Sequence, residues 1–276
     1  MDSTAMNTSV ISALPQAAVG RLLRQWRDAR RLSQLDLALD VGVSPRHLSF
    51  IETGKSRPSR EMIARLADAL HMPLRERNSL LLAAGYAPQY RETALTTPEM
   101  EPVRKAVQLI LDHHEPFPAF VMNRHWDVML TNRAMPKILG ALKPGGPMHG
   151  NILRQVFDPQ DMRPTLANWE EVARDLIRHV HAEVAAAPSD RKLRTLLDEV
   201  LAYPNVPGEW LTHELGSAPL PLITTVFAKG ELKLRFFSTL TVFGTTRDVT
   251  INELRIECMF PADEITADFC RALRNL

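Results

Sequence analysis

The sequence predicts two domains of different fold class: a mainly α N-terminal domain of five helices and a C-terminal α+β domain with a five-stranded antiparallel sheet. Three observations lead to this prediction. The chain of 276 residues is long enough for two cores of ordinary size. Residues 1–90 hold 12 Lys and Arg against 8 Asp and Glu, whereas the rest holds 21 against 24. Apolar residues follow helical spacing in that basic first third and recur at every second position in two segments near the C-terminus.

The predicted domain boundaries follow changes in composition and periodicity. Residues 1–15 are small and polar and are expected to form a flexible tail, and residues 16–85 carry the helical pattern. Residues 86–98 contain two prolines and no periodicity, which is typical of a linker, and residues 99–276 form the second domain. The chain has no apolar run of about eighteen residues and no N-terminal pattern of a secretory signal, which favours a cytoplasmic protein.

Capping and turn residues predict where the five N-terminal helices begin and end. The first helix is expected to start near Gly20. Ser33 is a suitable N-cap for the second, and Gly42 can adopt the left-handed conformation that ends it. Ser44 caps the third helix, which Pro45 opens at the position where a missing N–H costs nothing. The inward residues expected for these three helices are Leu22, Leu23, Trp26, Leu35, Ala38, Leu39, Leu48 and Ile51.

The segment from Ser33 to Ser59, SQLDLALDVGVSPRHLSFIETGKSRPS, has the features of a helix-turn-helix. A recognition helix needs a capped N-terminus and short polar or basic side chains on its outer face. Arg46 could bond a guanine edge in two places, Ser49 could contact several bases, and Phe50 could lie against a thymine methyl. The alternative is a helical corner of a bundle in which Arg46 is only solvated. The predicted DNA-binding residues, including three phosphate anchors (Gln34, Lys55 and Arg57), are Gln34, Ser44, Arg46, His47, Ser49, Phe50, Lys55 and Arg57.

The second domain is predicted to begin with a helix over about Glu99–His113 and two short strands in PAFVMNRHWDVMLTN. A helical middle from about Met135 to Leu215 follows. Three strands come next, in LITTVFA, ELKLRFFSTLTVF and TINELRIECMF, and a helix closes the chain after Pro261. Two strands, helices and then three strands in a meander is the chain order of a PAS-like sensor domain, although other α+β folds share it.

These segments resemble a known family. Residues 20–72, with LSQLDLALDVGVSPRHLSFIETGKSRPS, resemble the Cro/repressor-type (XRE family) helix-turn-helix. The continuation REMIARLADALHMPLRERNSLLLAAGYAP is similar to bacterial regulators that carry an MmyB-like ligand-binding domain. FPAFVMNRHWDVMLTNRA, NWEEVARDLI and LRFFSTLTVFGTTRDVTINELRIECMFPADE resemble that domain itself. The resemblance covers the chain from about residue 18 onward and implies a transcription regulator whose PAS-like domain binds a hydrophobic ligand, with fatty acids the known class. We expect it to act as a homodimer on a double-stranded DNA operator.

A ligand pocket in the second domain is predicted from aromatic, apolar and polar residues near its strands. Phe236 and Phe237 point to opposite faces of one strand, so only one of them can line a pocket on a given side. Arg133 or Arg235 could hold a ligand carboxylate, and Asn132 could instead cap the following helix. Plain core packing is the alternative for each apolar residue. The predicted ligand-binding residues are Trp126, Met129, Asn132, Arg133, Trp169, Phe236 and Leu240.

The sequence shows no spacing typical of a catalytic or metal site. His179 and His181 lie two apart on a predicted helix and therefore face different directions. Cys258 and Cys270 have no metal or redox spacing, and no GxSxG, Walker or GxGxxG motif occurs. We therefore expect a protein that is not an enzyme and that needs no cofactor. A haem- or flavin-bearing PAS-type sensor, an enzyme with a DNA-binding appendage and a helix-turn-helix subunit of a protein complex remain alternatives.

Overall fold

The computed structural model describes residues 6–211, 222–244 and 246–274, with side chains from residue 18 onward. The predicted end of the helical middle, at Leu215, lies outside the described residues. Among the helices within these ranges, none has the length and hydropathy needed to cross a membrane.

The chain divides into two compact units. The first comprises the chain up to Glu92 together with Glu183–Arg191 and Arg247–Val249, and the second comprises the remainder. The division after Glu92 falls within the predicted linker, residues 86–98.

The N-terminal part contains the five predicted helices. They are α1 (Met6–Ala29), α2 (Gln34–Asp40), α3 (Pro45–Glu52), α4 (Arg60–Ala69) and α5 (Leu74–Ala83).

Helix α1 is longer than predicted. It begins at Met6, so the flexible tail expected over residues 1–15 is helical from residue 6 on, and residues 1–5 lie outside the described part. Gly20 does not begin the helix but lies inside it, where α1 passes close to α3. A Cβ at Gly20 would collide with the backbone carbonyl of Glu52, so this glycine permits a close helix contact.

The corner between α2 and α3 forms through the predicted caps. The hydroxyl of Ser33 accepts from the N–H of Asp36 at 3.1 Å, and the carboxylate of Asp36 accepts from the N–H of Ser33 at 3.0 Å. This reciprocal capping box satisfies two donors that the helix itself leaves unpaired. Gly42 takes the expected left-handed conformation, with φ of 66°. The hydroxyl of Ser44 then caps α3 by accepting from the N–H of His47 at 3.1 Å.

The inward face of α2 differs from the prediction. Leu35 and Leu39 are 54% and 68% exposed, whereas Leu37 and Ala38 are fully buried. Of the predicted residues only Ala38 faces the core. The inward side starts at the partly buried Gln34, whose amide reaches a buried carboxylate, so apolar spacing alone selected Leu35 and Leu39 wrongly. The buried core of the helical unit includes Val19, Leu23, Trp26, Leu37, Leu48, Ile51, Ile63, Leu66, Leu70 and Leu80.

The buried carboxylate belongs to Glu52, at the end of α3. Its side chain has no solvent exposure. Arg27 of α1 donates to both of its oxygens, from Nε at 2.7 Å and from Nη2 at 3.2 Å. Nε2 of Gln34 donates to the carboxylate from α2 at 2.7 Å, and Nε of the half-exposed Arg24 lies 3.6 Å from it. Three helices are thus joined at one charged group.

The elements from residue 101 onward follow the predicted order, except that a short helix occupies the start of TINELRIECMF, the segment predicted as the last strand. The helices are α6 (Glu101–His113), α7 (Ala134–Leu142), α8 (Ile152–Phe157), α9 (Trp169–Ala186), α10 (Arg191–Leu201), α11 (Val249–Asn252) and α12 (Glu264–Arg274). The strands are β1 (Ala119–Met122), β2 (Val128–Thr131), β3 (Thr224–Lys229), β4 (Leu232–Val242) and β5 (Arg255–Pro261). Short 3-10 turns occur at Pro98–Met100, Arg163–Thr165 and Gly208–Leu211.

The five strands form one sheet in the order β2-β1-β5-β4-β3, and every neighbouring pair is antiparallel. The predicted five-stranded antiparallel sheet is therefore confirmed. One face packs against Val107 and Leu111 of α6 through Ala119, Val121, Leu254, Ile256 and Cys258. The opposite face carries Phe120 of β1, Glu257 and Met259 of β5, Ser238 and Leu240 of β4, and Thr225 and Phe227 of β3, because directly opposed residues share a face.

Replacing Arg27 by methionine would leave the Glu52 carboxylate buried with Gln34 and a more distant Arg24 as partners. We expect the free energy of unfolding of the helical unit to fall by about 3 kcal/mol, since a buried charge then lacks its main partner. Urea denaturation of the full-length protein, followed by circular dichroism, measures this change.

Arg21→Met is the matched control, because Arg21 is exposed on the same helix. It should change the free energy of unfolding by no more than about 0.5 kcal/mol. Equal losses in the two variants would show that Glu52 does not depend on Arg27.

Candidate DNA-binding surface and ligand cavity

The outward side of α3 presents polar and basic side chains at its first turns. Arg46 is exposed, and His47 and Ser49 are partly exposed. Leu48 and Ile51, as predicted, are fully buried and fix the rotation of the helix. A capped helix that presents short polar and basic side chains from its first turns has the geometry with which recognition helices enter the major groove.

Phe50 brings two basic side chains together on this side. The guanidinium carbon of Arg46 lies 5.3 Å from the centroid of the Phe50 ring, and Nζ of Lys55 lies 5.8 Å from it. Both contacts are within the range of cation–π attraction. The backbone N–H of Lys55 also donates to the carbonyl oxygen of Phe50 at 2.8 Å. We call this group, Ser44, Arg46, His47, Ser49, Phe50 and Lys55, the α3 surface.

Two of the predicted phosphate anchors are held by other parts of the helical unit. The amide of Gln34 donates to Glu52, as described above. Nε of Arg57 donates to the carbonyl oxygen of Ala84 at 3.1 Å, and the guanidinium lies 4.9 Å from the centroid of the Tyr86 ring. Arg57 remains exposed, so its charge is fixed in place at the end of the α3–α4 turn.

A cavity lies against the face of the sheet that carries Glu257. Its inner compartment, of about 110 Å³, is lined mainly by apolar side chains from strands β1, β3 and β5, helices α7, α8 and α9, and the turn between α8 and α9. The side chains that define it best are Phe120, Met135, Leu139, Leu166, Phe227 and Met259.

A larger outer compartment, of about 490 Å³, continues from the inner one. The two share Val172, Leu176, Thr225 and Glu257. The outer compartment is more polar, because its lining also includes Asp175, His179 and Ser238 beside Trp126, Leu222 and Leu240.

Three of the predicted ligand residues lie at or beside this cavity. Trp126 and Leu240 line the outer compartment. Phe236 is fully buried, and its ring meets the ring of Phe227 edge to face, with centroids 6.3 Å apart. Its neighbour Phe237 stacks on Phe260 instead, at 5.4 Å, on the opposite face of the sheet as the alternation predicts.

The other predicted ligand residues occupy different surroundings. Met129 is 40% exposed on β2. The indole N–H of Trp169 donates to the carbonyl oxygen of Val156 at 2.8 Å, and its ring packs against Trp210. The side chain of Asn132 is buried and bonds to backbone groups, among them the N–H of Ala119 at 3.1 Å and the carbonyl oxygen of Phe117 at 2.7 Å.

The two arginines considered as carboxylate partners also lie elsewhere. Arg133 lines a surface groove together with Glu115 and Lys137. Arg235 is paired with Asp263 at 3.3 Å. Neither arginine belongs to the described lining of the inner or outer compartment.

Sequence reasoning missed Glu257, the most distinctive residue of the cavity. Burial raises the pKa of its carboxyl group, and a hydrogen bond with Ser238 opposes this only in part. The clue was present in RIECMFP: if Ile256 and Cys258 face one side of the sheet, Glu257 must face the other. This alternation identifies Glu257 as a cavity residue only once helices are known to cover both faces of the sheet.

Metal-binding geometry and thiol reactivity are two further chemical features of the described ranges. There, no three His, Cys, Asp or Glu side chains are grouped so that they could hold a metal ion. Burial raises the pKa of the Cys258 thiol, which keeps it in the unreactive protonated form.

Comparison with known families matches both halves of the chain. Residues 18–80 match a helix-turn-helix domain family. Residues 103–273 match the family described as MmyB-like transcription regulator ligand binding domain. The second match alone covers more than half of the chain and includes every strand of the sheet.

Individual relatives match over shorter stretches. An uncharacterized HTH-type transcriptional regulator of Mycobacterium tuberculosis is 28% identical over 102 residues, which are 37% of this chain and 40% of the relative. Multiprotein-bridging factor 1 of Candida albicans is 33% identical over 61 residues, 22% of this chain and 40% of that protein. The chain thus spans about 40% of the length of these curated relatives. The crystal structure of the clp gene regulator ClgR from C. glutamicum is similar at 30% identity and a TM-score of 0.24, covering 26% of this chain and 90% of that one.

Replacing Ser44 by alanine would remove the side-chain cap of α3. We expect the free energy of unfolding to fall by about 1 kcal/mol, because the N–H of His47 loses its partner. Ser44→Asp is the matched control, since aspartate caps as well as serine, and it should unfold within a few tenths of a kcal/mol of the natural protein. Urea denaturation of both variants measures the difference, and equal stabilities would contradict the role of the cap.

Proposed function

The chain belongs to the family of the MmyB-like transcription regulator ligand binding domain, and from this premise we propose that it is a sequence-specific DNA-binding transcription regulator that senses a hydrophobic small molecule. The observation that carries the proposal is the pairing, in one chain, of the solvent-accessible α3 surface with a domain that contains a mainly apolar cavity. We propose that the molecule sensed is a fatty acid or an acyl derivative. The protein would act in the cytoplasm, where both DNA and such metabolites are accessible.

On DNA, the α3 surface would lie in the major groove. Arg46 would bond the O6 and N7 edge of a guanine, Ser49 would contact a neighbouring base, and Phe50 would meet a thymine methyl. Lys55 and Arg57 in the following turn would hold phosphates and set the register, and Gln34 would join them through the amide N–H that is not bonded to Glu52. The partly exposed His47 would contact the DNA from the first turn of α3. The contacts of Arg57 with Ala84 and Tyr86 support this role, because a side chain that is already ordered loses less entropy on binding.

We further propose a homodimer. Two α3 helices would then lie about 34 Å apart and bind half-sites one helical turn apart on an operator of approximate two-fold symmetry. The strand order β2-β1-β5-β4-β3, with helices inserted after the second strand, supports a PAS-like sensor as the C-terminal domain. A ligand in its cavity would change operator affinity only to the extent that it binds the DNA-competent and DNA-incompetent states differently.

Replacing Arg46 and Ser49 together by alanine should change the sequence preference of the protein. We expect a loss of about 1–3 kcal/mol of discrimination at the positions that Arg46 reads, because the bidentate contact is gone. A binding selection on random DNA, compared with the natural protein, measures this directly.

Lys55→Ala is the matched control for a phosphate contact. It should weaken binding to all sequences alike and lower the slope of log affinity against log salt by about one. A double variant Arg46→Ala, Ser49→Ala that keeps the natural sequence preference would show that another element reads the bases.

Replacing Leu176 by tryptophan should fill the junction of the two compartments, because Leu176 lines both. We expect the natural protein to gain thermal stability with at least one of decanoate, methyl decanoate and decanamide, and the variant to gain none. Differential scanning fluorimetry at rising ligand concentration measures the effect. Leu109→Trp, on the exposed side of α6, is the control and should respond as the natural protein does.

A further inference from the structure

Glu257 lies where the inner and outer compartments meet. It lines both of them, together with Val172, Leu176 and Thr225. In the sheet it stands between Phe120 of β1 and Leu240 of β4, its partners in the two ladders. A ligand that extends from the outer compartment into the inner one must therefore run past this carboxyl group.

The two compartments differ in size and polarity. The inner compartment, of about 110 Å³, is lined by side chains such as Met135, Leu139 and Phe227. It is somewhat smaller than the cavity of about 150 Å³ that holds benzene in another protein, so it suits a short apolar end. The outer compartment, of about 490 Å³, also offers polar groups, among them Ser238. The polar group of a ligand that fills both therefore lies near the junction.

The charges near the junction disfavour an anionic group there. Among the described residues that line either compartment, none is Lys or Arg. Residues 212–221, outside the described part, contain neither type in their sequence. A carboxylate buried without a cationic partner pays a large desolvation cost.

The nearby charged side chains have other contacts. Asp175 of α9 is paired with Arg178 at 3.4 Å and lies 3.3 Å from Nδ1 of His179. Arg255 is two residues from Glu257 on the same strand, and its guanidinium lies 5.7 Å from the centroid of the Trp126 ring. Arg255 is not part of the described lining of either compartment.

Glu257 itself is suited to bind a neutral acceptor. Because burial raises the pKa of its carboxyl group, the group keeps its proton to higher pH than an exposed glutamate does. A protonated carboxyl has an O–H that can donate to a carbonyl oxygen, which a carboxylate cannot do.

We propose that the cavity selects an uncharged acyl derivative, an ester or an amide, over a free fatty acid. The acyl chain lies in the inner compartment, and its carbonyl oxygen accepts a hydrogen bond from the carboxyl group of Glu257. The alcohol or amine part occupies the outer compartment. This assignment rests on the proposed function and narrows the ligand class named there.

The test compares N-butylhexanamide with decanoate, which has the same number of non-hydrogen atoms, on the full-length protein at about pH 7, where decanoate is already ionised. Isothermal titration calorimetry gives the two dissociation constants. We expect the amide to bind about tenfold more tightly or better, because only decanoate carries a charge past Glu257, and the described lining there contains no Lys or Arg.

Two variants of Glu257 and one control locate the effect. Glu257→Gln keeps a hydrogen-bond donor and should bind the amide within about threefold of the natural protein, whereas Glu257→Leu should lose about fivefold. Glu231→Leu, at the exposed turn between β3 and β4, removes a carboxylate away from the cavity and should leave both affinities unchanged.

The outcomes separate the two levels of the proposal. Decanoate binding as tightly as the amide, or Glu257→Leu binding the amide as the natural protein does, would overturn the selection by Glu257 and leave acyl binding standing. Failure of both probes to bind the natural protein would contradict the acyl class itself and, with it, the ligand named in the proposed function.

Discussion

The orientation of α3 depends on the burial of one carboxylate, that of Glu52. Its side chain has no solvent exposure, and Arg27 of α1 and Gln34 of α2 both donate to it. A charge removed from water needs such partners, so the three helices satisfy it only when α3 has one rotation about its axis. That rotation places Ile51 in the core and turns Arg46 outward. The buried contacts of α3 therefore determine which side chains form the α3 surface.

The second unit depends on a different constraint, the two-residue period of its strands. Because helices cover both faces of the sheet, each strand must place side chains suited to two separate environments. On β5, Ile256 and Cys258 pack in the apolar layer beside α6, while Glu257 and Met259 face the cavity. Shifting the register by one residue would exchange the two sets and place a carboxyl group in the apolar layer. The polar residue that marks the cavity thus also fixes the register of the central strand.

Sequence reasoning succeeded where local chemistry decides structure. Ser33, Gly42 and Ser44 act as predicted, because caps and left-handed turns involve residues within a few positions of one another. It failed where a distant partner decides. Leu35 is exposed because the inner face of α2 begins at Gln34, which serves a carboxylate on another helix, and no spacing within α2 contains that information. Only some of the residues predicted for the ligand pocket line the cavity, for the same reason. Alternation shows which residues share a face of the sheet, but not which elements cover that face.

Glu52 and Glu257 show how surroundings give one residue type two roles. The carboxylate of Glu52 accepts hydrogen bonds from the guanidinium of Arg27 and the amide of Gln34, so its hydrogen-bonding capacity serves to join helices. Glu257 meets Ser238 and a cavity wall without Lys or Arg in its described part, and burial raises the pKa of its carboxyl group. In an apolar cavity, a polar group can have hydrogen-bonding capacity that the protein leaves unused. A ligand that supplies the missing hydrogen-bond partner then gains binding free energy. Without a ligand, such a group lowers the stability of the fold. This loss of stability is the physical argument that the cavity accommodates a ligand.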